Sequence, residues 1–305
     1  MKRSQPFSFS EILNAGTPPE VPVEYFASSD NIKLAYYHFK TSKPAIAAVV
    51  FIHGGGAHSK LGYTFLAQTL KNDFNIETFL LDLRGHGKSE GKRGDSPSLE
   101  MVFIDIKNLI KNIKANSHNP IYLAGHSSGA GAILNYSSWS KSEPVSGYFF
   151  ISPDFGFRSK TSKEGEKPFA KVKTWKFISC AISGERFYQH DYTVFFNYPY
   201  QVLKQQPLIV PAITVNMAKA LTPNNPVKQF MQLTEPFGLY IGENDELFNT
   251  KKVLEFGNLP KHKNPKTIIK LIKNVNHLSI LINIGSEIGK TIKQWTWRES
   301  TQAFS

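Results

Sequence analysis

A chain of 305 residues with a single cysteine, Cys180, excludes an internal disulfide and a cysteine-built metal knuckle. Its hydrophobic share of 41% is that of a folded soluble protein, and no apolar run approaches the length of a membrane span. The formal net charge of +12 is spread along the chain rather than blocked, which removes a basic tail as its explanation.

The N-terminus, from Met1 to Ser10, begins basic and has no apolar core of signal-peptide length, so a cytoplasmic location is expected. Residues 1–20 read as an irregular arm punctuated by Pro6, Pro18 and Pro19. Val23 to Phe26 and Ile32 to Phe39 flank Ser28-Ser29-Asp30-Asn31 and predict a β-hairpin. Ala45 to Ile52 is a continuous apolar run, the pattern of a strand buried on both faces, and it ends in His53-Gly54-Gly55-Gly56. A helical pattern follows from Leu61 to Lys71. The next buried strand, Ile76 to Leu81, ends in Asp82-Leu83-Arg84-Gly85-His86-Gly87-Lys88-Ser89. Ser98 can cap a helix to Lys114 that carries Leu99, Val102, Phe103, Ile106 and Ile110 on one stripe.

The apolar run Ile121 to Ala124 then leads into Gly125-His126-Ser127-Ser128-Gly129, followed by a helix to Trp139. Strand, sharp turn and helix make this a nucleophile elbow, with Ser127 at the turn. Val145 to Ile151 is a further strand. From 155 to 235 the rhythm breaks into aromatics, prolines and lysines. It resumes with the strand Phe237 to Gly242, a helix from Thr250 to Phe256, the strand Thr267 to Ile272 and a closing helix from Ser279 to Trp297. This alternation predicts an α/β fold with a mostly parallel, doubly wound sheet. The expected organisation is an arm over 1–20, a core over 21–154 and 236–305, and an inserted cap over 155–235. His53, Asp82, Ser127, Asp154 and Asp245 all fall at or just beyond strand ends, where such sheets gather ligands.

A serine hydroxyl becomes a nucleophile only when an imidazole takes its proton, and the imidazole needs a carboxylate to hold its tautomer. In the order nucleophile, acid, base, the histidines after Ser127 are His190, His262 and His277. His277 follows the last strand by a short loop and is the expected base. Two acids stand at strand ends: Asp245, flanked by Glu243 and Glu246, is favoured over Asp154. The oxyanion donors expected are the backbone N–H groups of Ser128 and of Gly55 in the glycine turn. His86 precedes the serine, so its loop reads as support for that turn. No metal-ligand spacing and no phosphate-cradling loop is present, and the chemistry is expected to need no cofactor and no metal.

Arg158, Lys160, Lys163, Lys167, Lys171, Lys173 and Lys176 are interleaved with Phe155, Phe157, Phe169, Trp175 and Phe177. That mixture suits contact with an anionic membrane surface, with a solvated lysine-rich loop as the plainer alternative. No nucleic-acid module accompanies it, and nucleic acid is not an expected partner; the oligomeric state is not encoded in any pattern here. The cap is also rich in apolar residues (Phe187, Tyr188, Tyr192, Val194, Phe195, Phe196, Tyr198, Leu208, Ile209 and Val210), which suit an acyl chain or the cap's own core.

His53-Gly54-Gly55-Gly56-Ala57-His58-Ser59, Asp82-Leu83-Arg84-Gly85-His86-Gly87-Lys88-Ser89 and Gly125-His126-Ser127-Ser128-Gly129 together resemble the monoacylglycerol lipase and lysophospholipase branch of the α/β-hydrolases, grouped with serine aminopeptidase-like enzymes. Gly242-Glu243-Asn244-Asp245 and Asn276-His277 match that branch's acid and histidine motifs in order. The resemblance runs from Val23 to Trp297 outside the cap. It implies an α/β-hydrolase fold, Ser127, Asp245 and His277 as the triad, and Gly55 and Ser128 as the oxyanion hole. The implied substrates are acyl esters such as monoacylglycerols and lysophospholipids. Ser128 stands where the branch often has methionine. A peptidase or amidase, and a thioesterase or acyltransferase, would use the same triad; a non-catalytic binding module would be expected to lack one of its members.

Overall fold

The computed structural model describes residues 8–16, 20–165, 168–261 and 264–302. Pro6, Pro18, Pro19, Lys167 and His262 lie outside the described residues. Residues of the expected irregular arm form a short helix, α1 (Ser10–Asn14), with Phe9 and Ile12 buried. The hairpin forms from β1 (Val23–Ala27) and β2 (Lys33–Phe39), paired antiparallel.

The alternating units then follow in order: β3 (Ala47–Ile52), α2 (Tyr63–Phe74), β4 (Ile76–Leu81), α3 (Leu99–Asn116), β5 (Ile121–His126), α4 (Ser128–Ser137) and β6 (Gly147–Ile151). Every residue of β3, β5 and β6 is buried, as strands covered on both faces must be. Successive side chains leave β3 on opposite faces. Ala47, Val49 and Phe51 enter one core, while Ala48, Val50 and Ile52 enter the other. The Ser98 side chain caps α3 by accepting the N–H of Met101.

Between β6 and the next core strand lies the segment whose pattern was irregular. It holds β7 (Ala170–Val172), α5 (Thr174–Ile182), β8 (Tyr192–Phe196), α6 (Tyr200–Gln205), β9 (Ala212–Thr214), α7 (Val215–Leu221) and α8 (Pro226–Met231). The three strands form a small antiparallel sheet in the order β7-β8-β9. Two of them span three residues each, too short for an alternation to register in the sequence. The segment is tied to the core at β9, where the Thr214 hydroxyl donates to Asp95 at 2.6 Å and its N–H to the Gly94 carbonyl at 3.0 Å.

The chain closes with β10 (Phe237–Gly242), α9 (Thr250–Glu255), β11 (Ile268–Ile272) and α10 (Ile280–Gln302). Among the described residues, eight strands make one sheet in the order β1-β2-β4-β3-β5-β6-β10-β11. Pairing is parallel from β4 onward and antiparallel only where β2 meets β1 and β4. The expected mostly parallel, doubly wound α/β sheet is therefore present. Helices α2 and α10 contribute Leu66, Leu70, Ile284 and Ile288 to the core on one face, and α3 and α4 contribute Val102, Ile106 and Ile133 to that on the other. Among the described residues no helix is long and apolar enough to cross a membrane.

Candidate active site

β5 ends at His126 and α4 starts at Ser128, so the turn between them is a single residue. Ser127 occupies it with φ 53° and ψ −125°, a conformation a non-glycine residue holds only when its surroundings impose it. They do so through the backbone: its N–H donates to Ile151 at 3.0 Å, and its carbonyl accepts from Ala130 and Asp154, each at 3.0 Å. The flanking glycines are obligatory. A Cβ on Gly125 would stand 2.5 Å from the Gly129 carbonyl oxygen, and one on Gly129 would stand 2.4 Å from the carbonyl oxygens of Ile52 and His53.

The loops after β10 and β11 supply the other two groups. Asp245 is buried, and its Oδ2 accepts from His277 Nδ1 at 2.9 Å. Its Oδ1 accepts the N–H groups of Leu247 and Phe248 at 3.0 and 2.9 Å. Burial alone would raise the carboxyl. The His277 charge, its hydrogen bond and those two N–H groups outweigh burial and hold Asp245 below the usual carboxylate range. Burial would likewise depress the imidazole, but the charge and hydrogen bond of Asp245, with Glu246 and Asp154 behind them, leave His277 above its ordinary value.

The two flanking glutamates hold the histidine loop rather than the ring. Glu246 accepts the His277 backbone N–H at 2.9 Å, and Glu243 that of Asn274 at 3.2 Å. Asp154 accepts the N–H of Gly156 at 2.8 Å and faces the same cavity.

The glycine turn is pinned at each carbonyl. Gly54 accepts from His53 Nδ1 at 2.9 Å and from the Ala57 N–H at 3.2 Å; Gly55 accepts from the Tyr198 hydroxyl at 2.9 Å; Gly56 accepts from the Val210 N–H at 2.8 Å. With its Nδ1 proton engaged, His53 uses Nε2 to accept the Leu83 N–H at 3.1 Å, and its ring lies 5.2 Å from that of His86. The loop after β4 thus braces the turn. Gly55 faces Ser128, since a Cβ built on Gly55 would stand 3.0 Å from the Ser128 hydroxyl oxygen. That hydroxyl is buried without a hydrogen-bond partner among the described residues. The Ser128 N–H belongs to the first turn of α4, where no intrahelical acceptor exists.

Sequence reasoning missed the link between these parts. The Tyr63 hydroxyl accepts the Gly54 N–H at 2.8 Å and donates to His126 Nδ1 at 3.1 Å; His126 Nε2 then donates to the His277 carbonyl at 2.9 Å. One arrangement of protons satisfies the whole chain, and burial pushes His126 down to about 3, so it stays neutral. The His126 and His277 rings lie 4.8 Å apart. Nothing about Tyr63 stands out in the sequence, because its partner is 63 residues away. Replacing Tyr63 with Phe would leave a buried donor and a buried acceptor unpaired. We expect Tyr63→Phe to lose about 1–3 kcal/mol of unfolding free energy. Denaturant titration measures it, and a coincident curve would show that the bridge contributes nothing.

Ser127, His277, Gly55 and Ser128 all line one cavity of about 1270 Å³. Its walls come from the core and from the 155–235 segment, including Phe157, Phe169, Phe177, Val194, Phe196 and Tyr198. Of the apolar residues noted in the cap, Phe187 and Tyr188 are instead exposed, and Ile209 and Val210 are buried in the core clusters. Among the described residues no group of three or more His, Cys, Asp or Glu side chains could hold a metal ion.

Residues 43–280 match the model of the serine aminopeptidase, S33, family. The chain belongs to that family. It is 26% identical over 244 residues to the Escherichia coli (strain K12) protein YnbC, covering 76% of this chain and 40% of that protein. It is 29% identical over 145 residues to the monoglyceride lipase of Saccharomyces cerevisiae, 45% of each chain. The solved structure of a soluble variant of that yeast lipase, in complex with a substrate analog, superimposes with a TM-score of 0.69. That superposition has 18% identity and covers 92% of this chain and 95% of that one, so the S33 member shares the α/β-hydrolase fold. The chain spans less than half the length of the curated relatives it matches.

Proposed function

We propose that this protein is a serine hydrolase that cleaves carboxylic esters through an acyl-enzyme, with monoacylglycerol- or lysophospholipid-like lipids as its substrate class. The observation that carries this reading is the buried Asp245–His277 pair at 2.9 Å, opening onto the same apolar-walled cavity as the strained Ser127. Ser127 Oγ attacks the acyl carbonyl and breaks its bond to the alcohol. His277 Nε2 takes the serine proton and gives it to the leaving alkoxide. Water, deprotonated by the same nitrogen, then releases the acid. The N–H groups of Gly55 and Ser128 stabilise the oxyanion in both tetrahedral states. Residues 155–235 act as the cap over the acyl chain.

The test is turnover of p-nitrophenyl esters from short to long chain beside aminoacyl p-nitroanilides. Ester cleavage with little anilide cleavage is expected. Preferential anilide cleavage would replace this reading with a peptidase.

The cap is further proposed to rest on anionic lipid, as a peripheral contact from the cytoplasmic side. Helix α5 exposes Trp175, Ile178 and Ile182, which the spacing of three and four residues sets on one stripe, beside the exposed Lys171 and Lys173. The protein is expected to sediment with vesicles containing phosphatidylserine at low salt, and less so with phosphatidylcholine alone. Equal recovery on both would remove the electrostatic part of the proposal.

A further inference from the structure

The short helix α1 and its preceding residue, Phe9, have no part in the triad, yet they touch the site at two places. Phe9 is buried and lines the cavity, with its ring 5.4 Å from Tyr198 and 6.3 Å from Phe169. Tyr198 is the residue whose hydroxyl donates to the Gly55 carbonyl. Two residues on, Glu11 Oε1 accepts from Asn276 Nδ2 at 2.9 Å. Asn276 immediately precedes His277, and its Oδ1 holds the N–H groups of Leu278 and Ser279 at 3.0 and 2.8 Å. Ile12 anchors the segment by packing on Gly62, where a Cβ would stand 2.4 Å from its terminal methyl.

We propose that α1 and the Phe9 that caps it form a working wall of the active site, with Phe9 as a determinant of acyl-group specificity and Glu11 as a positioning residue for the His277 loop. This rests on the ester-hydrolase reading above. The Phe9 ring occupies space an acyl group would otherwise enter, and it backs the tyrosine that fixes the glycine turn. Glu11 acts one residue away from the general base, through the amide of Asn276. An exposed carboxylate holding a loop amide leaves substrate binding alone and alters how often the imidazole is in place. Its removal should therefore lower kcat and leave KM unchanged. Removing the ring enlarges the chamber, so the order of preference among acyl groups should change, whatever the absolute rate.

The experiment uses the full chain and the p-nitrophenyl ester series, with wild type and Ser127→Ala run alongside. An active wild type and an inert Ser127→Ala keep the underlying reading in place whatever the α1 variants do. Phe9→Ala is expected to raise the kcat/KM ratio of long or branched over short acyl esters about tenfold, with Phe9→Leu in between. Glu11→Ala is expected to lower kcat about threefold at constant KM, and Glu11→Gln to restore it, since the amide oxygen still accepts from Asn276. Thermal unfolding of each variant separates these effects from a general loss of fold. A Phe9→Leu profile parallel to wild type would overturn the specificity role. A Glu11→Ala kcat equal to wild type, or an equal fall in Glu11→Gln, would overturn the positioning role.

Discussion

Replacing Ser127 with Ala is expected to lower ester turnover by about a million-fold, the scale seen when a serine nucleophile is removed from a hydrolase triad. The backbone at the elbow does not depend on the hydroxyl. The bonds from Ser127 N–H to Ile151, and from Ala130 and Asp154 to its carbonyl, survive the substitution, and alanine has no larger side chain to seat. Gly125 and Gly129 still provide the close approach of strand and helix. The variant should therefore unfold at nearly the wild-type temperature while losing both turnover and labelling by a fluorophosphonate probe. The residual rate would come from the oxyanion donors and the cavity, which remain. Undiminished turnover would show that the nucleophile lies elsewhere.

The second large effect is expected from Asp245→Asn, about 10⁴-fold in kcat, and its cause is geometric. Oδ1 of Asp245 accepts two backbone N–H groups, from Leu247 and Phe248, so an asparagine must place its oxygen there. Its amide N–H₂ then faces His277 Nδ1, which has to become an acceptor. The ring proton moves to Nε2, the nitrogen that should receive the proton of Ser127, and general-base catalysis stops. Asp154→Asn is the control. Its carboxylate pairs with the Gly156 N–H and not with His277, so the tautomer is untouched and the loss should stay within about tenfold. A larger loss at Asp154 than at Asp245 would exchange their roles.

The same pair sets the pH dependence. In the proposed mechanism only neutral His277 can act as the base, and Asp245 holds the imidazole above its ordinary value despite the opposing effect of burial. In wild type, kcat/KM should therefore rise with pH through an apparent pKa above the ordinary histidine value of 6.5. Any residual activity of Asp245→Asn should begin its rise at lower pH, because the negative charge is gone.

How much of this was legible beforehand follows from the range of the interactions involved. The strands Ile76 to Leu81 and Phe237 to Gly242 were readable to the residue, because each is an apolar-rich run of strand length bounded by polar residues or proline. The mostly parallel sheet followed from the spacing of such runs with helical stripes between them. Candidate site residues were legible for a related reason. Ser127, Gly55, Asp245 and His277 each sit in a short local pattern at a strand end, and strand ends are where the fold assembles its ligands. The fold also turns Asp245, not Glu243 or Glu246, toward the ring, a choice that depends on which side chain of the loop points inward.

What sequence alone determined, then, was the class of the sheet, the serine turn and the order of the groups around it, since these depend on residues close together along the chain. The tertiary structure decided the rest: the small sheet over the cavity, the bridge from Tyr63 through His126 to the His277 carbonyl, and the return of α1 to the site. Each joins segments separated by tens to hundreds of residues, and which side chains meet there depends on packing, for which a linear pattern carries no period or motif.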